Sequence, residues 1–278
     1  MNTYELVVDT NFRLITGEVL DDQSKADIVS QLRSARSTPE DAERFHKAMR
    51  CPGNIDKKGR RMYPEFYIPP YNDGRKLKTL FGQQAGTHIL SANMYELEIL
   101  RLLFVLAPYD LNELRMIQHT LKRLKTTCFG GDGCWTGECF EAGLVALRFL
   151  ATVEHLEINW MQKLLKVYQD HFNDKKRPRA LEWYFWLCLD ELFSVIGDPL
   201  IEQHQQRMLD TFNTLKKSGW RNEDERKAKT MLLCTLCRNL SRFPDYNHLN
   251  IWCNLHRSLR SELSNECGDT GYYRPRGI

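Results

Sequence analysis

Four acidic residues recur along the chain at a nearly constant interval. They are Asp110, Glu154, Asp198 and Asp245, and successive members are 44, 44 and 47 residues apart. A strongly apolar stretch precedes each of them, and an amphipathic stretch follows. Self-similarity at a period of this length is the signature of stacked supersecondary units. The sequence therefore predicts a mainly α protein with about four αα-hairpin repeats of period about 44 residues.

The two members of each predicted hairpin differ in the distribution of their apolar residues. The first members are apolar almost all round: 95–106, 138–153, 179–196 and 224–243. The second members carry one apolar stripe: 111–124, 156–172, 199–217 and 249–263. A helix that is apolar all round is buried, whereas a single stripe is typical of an outer helix. We therefore expect inner and outer layers of helices, in a superhelical arc or an α/α toroid.

Two helix starts carry explicit capping signals. Asp110 followed by Glu113 has the spacing of a capping box. Asp198 followed by Pro199 places a capping side chain before a proline at the first helical position. These signals predict that outer helices begin directly after both aspartates.

The first 93 residues lack this period. They form the predicted smaller, irregular α+β domain, 1–93, ahead of a repeat domain, 94–278. Residues 4–8 and 12–15 fit two short strands, and 24–32 fit a short helix. Thr38 with Pro39 predicts the start of another helix, which ends near residue 49.

Residues 50–78 form a basic segment with eight lysines and arginines against three acidic residues. Aromatic residues and turn formers interleave with the charges. One interpretation is a cationic, aromatic surface for phosphate, nucleic acid or an acidic protein. The other is a solvated loop whose tyrosines fix it to the core.

The loops that precede the predicted inner helices are rich in glycine, aromatic and basic residues. Aromatic faces together with guanidinium groups suit an anionic or nucleotide-like ligand, or an acidic peptide. The candidate ligand-binding residues are Trp135, Trp220, Arg221, Arg177, Tyr272, Tyr273 and Arg274. Alternatively, the tryptophans wedge between adjacent hairpins and only stabilise the repeat.

Three cysteines cluster within residues 128–139. Cys128, Cys134 and Cys139 are candidate zinc ligands, with Asp132 or His155 as a fourth, although their spacing differs from the C-x2-C pattern of structural zinc sites. We predict no other cofactor. The pair Cys234-x-x-Cys237 lies inside an apolar helix, where core packing is expected. The glycine-containing turn at 82–88 predicts either a phosphate-binding helix start or a plain loop.

The Asp-Gly-Cys-Trp loop at 132–135, preceded by glycines and followed by an apolar helix, resembles the Asp-x-Cys-aromatic loop of protein prenyltransferase β-subunits. The Gly-x-Trp turns are similar to those of the wider terpene-cyclase-like α/α toroids. The resemblance extends over roughly residues 94–278. It implies a toroid-like architecture, with Asp132 and Cys134 as zinc ligands beside a His that opens a later inner helix. Because no His stands at those later helix starts, Arg179 and Asp224, only the architecture is carried over.

The charge, the N-terminal residues, the cysteine count and the motifs indicate where the protein acts and which enzyme classes its sequence does not match. The net charge is only +3, and no N-terminal basic and apolar regions of a signal peptide are present. An odd number of cysteines, nine, in such a chain predicts reduced thiols and a cytoplasmic location. No P-loop, dinucleotide fingerprint or nucleophile elbow occurs, and no catalytic residue is assigned.

The favoured function is a non-enzymatic helical-repeat binding protein. It would engage a protein or nucleic-acid partner through a concave, basic and aromatic face. The alternative is an α/α-toroid enzyme that acts on an apolar or phosphorylated small molecule.

Overall fold

The computed structural model describes residues 2–48, 54–55, 57–72, 75–82, 84–108, 110–134, 136–153, 157–171 and 179–249. Over these ranges the protein is all-α, apart from one minimal hairpin of two residues per strand. The N-terminal helices are α1 (Thr3–Ile15), α2 (Asp22–Ser34) and α3 (Pro39–Ala48). The hairpin pairs β1 (Tyr71–Asn72) with β2 (Arg75–Lys76).

The remaining helices lie between residues 88 and 240. They are α4 (His88–Leu106), α5 (Leu111–Leu124), α6 (Gly137–Val153), α7 (Ile158–His171), α8 (Arg179–Glu191), α9 (Ser194–Lys217) and α10 (Glu223–Leu240). A π-helical turn, Cys128–Asp132, precedes α6, and a 3-10 turn, Pro244–Tyr246, follows α10. The predicted outer helix at 249–263 lies almost entirely outside the described residues. No described helix is both long enough and apolar enough to cross a bilayer.

Contacts between the helices define one series. The helices α4, α6, α8 and α10 pack each against the next, and α5, α7 and α9 each pack against at least one of them. Helix α1 contacts both α4 and α10, so it lies between the first and the last member of this series. Helices α2 and α3 pack against α4. The side chains between these helices form one large apolar core.

The two strands predicted at 4–8 and 12–15 are wrong, because both segments belong to α1. The side chain of Asn2 accepts from the Glu5 N–H at 2.9 Å, and the Glu5 carboxylate accepts from the Asn2 N–H at 3.4 Å. This capping box starts a helix, and burial of Leu6 and Thr10, four residues apart, places one face against the core. β-Branched residues in this stretch favoured strands locally, and the cap and the packing override them.

The other N-terminal helices agree with prediction. Helix α2 contains the segment 24–32, and α3 begins at Pro39 and ends one residue before the expected boundary. The hydroxyl of Thr38 accepts from the Asp41 N–H at 3.2 Å, as expected of a capping residue. Because α4 begins at His88, the proposed domain boundary at residue 93 falls inside a helix.

One predicted helix start is confirmed and the other is wrong. Asp110 caps α5, since its carboxylate accepts from the Asn112 N–H at 2.8 Å. Helix α9, by contrast, begins at Ser194, so that Pro199 lies inside it. Asp198 instead pairs with Arg242, at 2.8 Å between Oδ1 and Nη1. The chain therefore turns just after Glu191, earlier than the proline signal indicates.

The inner helices are not apolar all round, because an ion cluster lies between them. We call Glu98 and Arg101 of α4, Arg148 of α6 and Glu191 of α8 the central ion cluster. Arg148 is fully buried, and its Nη1 donates to both carboxylate oxygens of Glu98 at 2.7 Å. Its Nε and Nη2 donate to Glu191 at 3.1 and 2.9 Å. Arg101 Nε also donates to Glu191, at 3.1 Å, so two cations and two anions balance.

Candidate functional site

A basic groove lies between residues 57–62 and the C-terminal half of α5. Its volume is about 780 Å³. It is lined by Lys57, Lys58, Arg60, Arg61, Met62, His119, Lys122, Lys125 and Thr126. Six lysine and arginine side chains therefore surround one depression, which we call the basic groove.

The first wall of the basic groove is a tight turn closed by backbone contacts. Ile55 and Arg61 form an isolated antiparallel bridge, and the Met62 N–H donates to the Asn54 carbonyl at 2.7 Å. Asn54 and Gly59 have φ values of +68° and +75°. Glycine and asparagine adopt this left-handed conformation at low cost, and the turn needs it to reverse direction.

The second wall is one face of α5. His119 and Lys122 of α5 and Lys125 at its C-cap follow each other at intervals of three residues, which makes successive side chains neighbours on the helix surface. They also lie toward the C-terminal end of α5, where the helix dipole stabilises positive charge. The local fold thus favours a row of cations here.

A buried ion pair holds the two walls together. Arg123 and Glu96 are both fully buried and in contact with each other. Arg123 Nη1 donates to Asn54 Oδ1 at 2.9 Å, and the Asn54 N–H donates to Thr126 Oγ1 at 3.1 Å. The turn and α5 are therefore fixed to each other through Asn54.

The Glu96 carboxylate accepts hydrogen bonds from several parts of the structure. Its Oε1 accepts from the Thr120 hydroxyl and from the Glu65 N–H, each at 2.8 Å. Arg123 Nη2 donates to Asn93 Oδ1 at 2.9 Å. Buried charges that are paired and hydrogen-bonded in this way hold one geometry, so the groove is preformed.

The charges that line the groove are incompletely neutralised. Lys57, Arg61 and Lys122 form no ion pair with any carboxylate in the described part of the chain. Lys125 does have a partner, Glu157 at 2.7 Å, and its Nζ lies 4.7 Å from the centre of the Trp160 ring. At least three cations therefore remain to attract an anion.

Glu65 lies behind the groove, where it holds His119. Its Oε1 is 2.9 Å from His119 Nδ1, and its Oε2 accepts from Arg36 Nη2 at 3.0 Å. Burial raises the pKa of Glu65, but the contacts with His119 and Arg36 outweigh it and leave the pKa below its usual range. The carboxylate is thus ionised at neutral pH and lies beside the His119 ring.

One aromatic ring lies at the edge of the basic groove. Tyr63 is 38% exposed, and its ring centre is 6.2 Å from that of His119 and 6.4 Å from that of His46. Phe66 and Tyr67, in contrast, are buried. Phe66 and Tyr67 therefore fit the interpretation in which aromatic residues fix the basic segment to the core. Tyr63 fits the interpretation of a cationic, aromatic surface.

Only part of the predicted ligand-binding set can be located. Trp220 is 57% exposed ahead of α10, and the exposed Arg221 Nε lies 3.1 Å from Glu225 Oε2. Neither lines the basic groove. The other candidates lie outside the described residues: Trp135, Arg177, Tyr272, Tyr273 and Arg274. The α5 side of the groove was missed by sequence reasoning, although the three-residue spacing of its basic residues was a usable signal.

The loops before the inner helices meet at one end for α4 and α6. The carboxylate of Glu138, in the first turn of α6, accepts from the N–H groups of Gly86, Thr87 and Leu90 at the start of α4. The glycine-containing turn at 82–88 therefore binds a carboxylate of this chain at the site where a phosphate was one expectation. A helix N-terminus favours such an anion.

The predicted metal ligands separate into two groups. Cys134 lies with Cys128 and Cys139, and their sulfur atoms are all within 4.8 Å of one another. Asp132 is outside this group, and its Oδ1 is 2.5 Å from Lys163 Nζ. His155 lies outside the described residues. Cys234 and Cys237 are buried in α10, as expected of core residues.

Comparison with known proteins gives no relative. No family model, no curated protein and no solved structure matches the chain.

Proposed function

We propose that this protein is a binding protein that holds a single-stranded nucleic acid by its phosphate backbone in the basic groove. The observation that carries the proposal is the set of three cations without ion-pair partners on two walls fixed by the buried Glu96–Arg123 pair. Phosphate contacts supply most of the affinity in sequence-independent binding. A preformed groove adds little ordering cost on binding.

The exposed ring of Tyr63 favours a nucleic acid over a plain anion. Proteins that bind single strands combine a basic track for the backbone with aromatic side chains on which bases stack. Tyr63 contacts His119, which itself lines the groove. A strand with its phosphates on Lys57 and Lys122 would place a base within reach of this ring.

The architecture we propose around this groove is a toroid-like arc of αα-hairpin repeats. The alternation of inner and outer helices supports it, and so does the position of α1 between α4 and α10. Such folds present extended surfaces that suit elongated partners. A single strand is one such partner.

A second candidate is a binding site for a phosphorylated small molecule. The groove volume, about 780 Å³, lies within the usual range of small-molecule sites. The two candidates differ in length of contact, because a strand engages several phosphates in a row. Salt dependence and competition separate them.

The proposal is tested by fluorescence anisotropy of a labelled single-stranded oligonucleotide titrated with the full chain. Three phosphate contacts predict a slope of log affinity against log salt of about −2. Lys122→Ala should lower the affinity about fourfold at physiological salt and reduce the slope by about 0.7. Double substitution with Lys57→Ala should lower the affinity further.

Lys216→Ala is the matched control. Lys216 is exposed in the last turn of α9, as Lys122 is in the last turn of α5, so each substitution removes the same helix-end charge. Equal losses in both variants would show non-specific attraction and contradict the proposal. An affinity independent of salt would contradict it too. Full competition by a mononucleotide at the affinity of the strand would assign the groove to the small-molecule candidate instead.

A further inference from the structure

The three sulfur atoms of Cys128, Cys134 and Cys139 are arranged at the spacing of metal ligands. All lie within 4.8 Å of one another, and the Sγ atoms of Cys128 and Cys139 are 3.6 Å apart. Tetrahedral zinc with Zn–S bonds of about 2.3 Å places its sulfurs about 3.8 Å apart. These cysteines are the one group of three or more such ligands among the residues that the structure describes. We call them the cysteine triad.

The glycines between the triad members make this approach possible. A Cβ on Gly130 would lie 2.7 Å from the Leu124 carbonyl oxygen, and one on Gly131 would lie 2.8 Å from the Lys125 carbonyl oxygen. Gly133 has a φ of +78°, and a Cβ there would lie 2.6 Å from Val167 Cγ2. Only glycine fits this path at all three positions.

Further contacts fix the loop that carries the triad. The Thr127 hydroxyl accepts from the Gly130 N–H at 3.1 Å, and the Trp160 indole N–H donates to the Gly130 carbonyl. Cys139 lies in the first turn of α6, so the third ligand stands on a regular helix. The thiols are exposed or half-buried, which leaves a path for an ion.

We propose that the cysteine triad binds one zinc ion through three thiolates, with a fourth coordination position open to water. Structural zinc sites have four protein ligands, whereas three protein ligands with one open position are usual in catalytic zinc sites. Each thiol loses its proton to solvent on binding, with no change in oxidation state. The ligand set excludes Asp132, which is engaged by Lys163. None of the triad cysteines lines the basic groove.

A bound ion would join the π-helical turn to the start of α6. That start also carries Glu138, which caps α4. Zinc would therefore stabilise the end of the molecule at which the inner helices α4 and α6 begin. Removal of the metal should then lower thermal stability without unfolding the protein.

The test uses the reduced full chain, stripped with a chelator and titrated with cobalt and then with zinc. Tetrahedral cobalt bound by thiolates gives an intense sulfur-to-metal charge-transfer band, and we expect one equivalent that zinc displaces. Cys128→Ser and Cys139→Ser should each abolish the band or weaken zinc binding by more than about 100-fold, beyond the usual loss for a residue outside the ligand set. The buried Cys234→Ala, outside the triad, should retain wild-type binding.

The thermal midpoint of each variant without metal controls for folding. Because the triad lies at the surface, its serine variants should melt within a few degrees of the stripped wild-type protein. The proposal is overturned if the wild-type protein shows no charge-transfer band, or if the Cys139→Ser variant keeps the band at full intensity and binds zinc with wild-type affinity. A disulfide between Cys128 and Cys139 in protein purified without reductant, with no metal uptake after reduction, would overturn it as well.

Discussion

Replacement of Arg148 by Met should be one of the most destabilising single changes in the protein. The side chain donates four hydrogen bonds to two carboxylates at 2.7 to 3.1 Å, and it is fully buried. Methionine fills a similar volume, so the perturbation is the loss of charge rather than a cavity. Glu191 would then keep one cation, Arg101, and Glu98 would have none.

The magnitude follows from the charge that remains. Breaking a buried ion pair by removal of one partner costs about 3–5 kcal/mol, because the other charge stays buried. Burial by itself raises the pKa of Glu191, and the charges of Arg101 and Arg148 outweigh it to hold the pKa below its usual range. Without Arg148, less positive charge opposes the effect of burial on the Glu191 carboxylate. For a chain of this size the thermal midpoint should fall by roughly 6–20 °C.

The assay is urea unfolding followed by far-ultraviolet circular dichroism. Arg221→Met is the matched control, since Arg221 pairs with Glu225 at the surface, at 3.1 Å and with the Arg221 side chain 88% exposed. Loss of such a pair costs at most about 1 kcal/mol. A second variant, Arg148→Met with Glu98→Gln, restores the charge balance and should recover a large part of the lost stability. The reasoning fails if Arg148→Met unfolds within about 1 kcal/mol of the wild type, or if Glu98→Gln adds to the loss.

Three further perturbations test other parts of the structure. Burial lowers the pKa values of three histidines below their ordinary value of 6.5: His46, His88 and His204. Below pH 6.5 these histidines bind protons more readily in the unfolded chain than in the folded one. The thermal midpoint should therefore fall as the pH drops from 7.5 to 5.5. A thermal midpoint that does not change over this range would contradict the lowered pKa values. Glu138→Ala removes the carboxylate that accepts from the Leu90 N–H at the start of α4 but leaves the Thr87 side-chain cap. It should cost about 0.5–2 kcal/mol, with faster hydrogen exchange of the Leu90 amide; unchanged exchange would show that this contact is dispensable. Gly131→Ala should cost about 1–3 kcal/mol through its clash with a carbonyl, whereas Gly219→Ala, which meets nothing within 4 Å, should stay close to the wild type in the same urea titration.

Most of the helices after residue 88 could be predicted from the sequence because hydrophobic periodicity persists over long segments. The four segments predicted as strongly apolar helices correspond to α4, α6, α8 and α10. The start of α9 could not be placed from local signals. Glu191, the last residue of α8, accepts from Arg101 of α4 and Arg148 of α6, and these partners cannot be read from the local sequence.

The functional surfaces show the same division between local and long-range information. The basic segment and the three cysteines were recognisable by composition and proximity in sequence. The spacing of His119, Lys122 and Lys125 was a local signal for a basic helix face. That this face meets residues 57–62 was not recognisable, because it depends on how α5 packs beside Asn54. Charged residues isolated within apolar runs, such as Arg148, were an available signal, since a buried charge needs a partner of opposite sign. The identity of that partner is tertiary information.

The position of α1 has a consequence for how the chain reaches its fold. Asp9 pairs with Lys227 at 2.8 Å across 218 residues of sequence, and Arg238 donates to the Ile15 carbonyl across 223. A ribosome adding about 5–20 residues per second needs roughly 10–40 s to make the segment between such partners. Until α10 is made, α1 can pack only against helices that are already synthesised, such as α2 and α4. The surface of α1 that contacts α10 in the folded protein is then exposed to water or to a chaperone. Contacts of such long sequence separation close late and slowly, so the final folding step should wait for α10 to emerge.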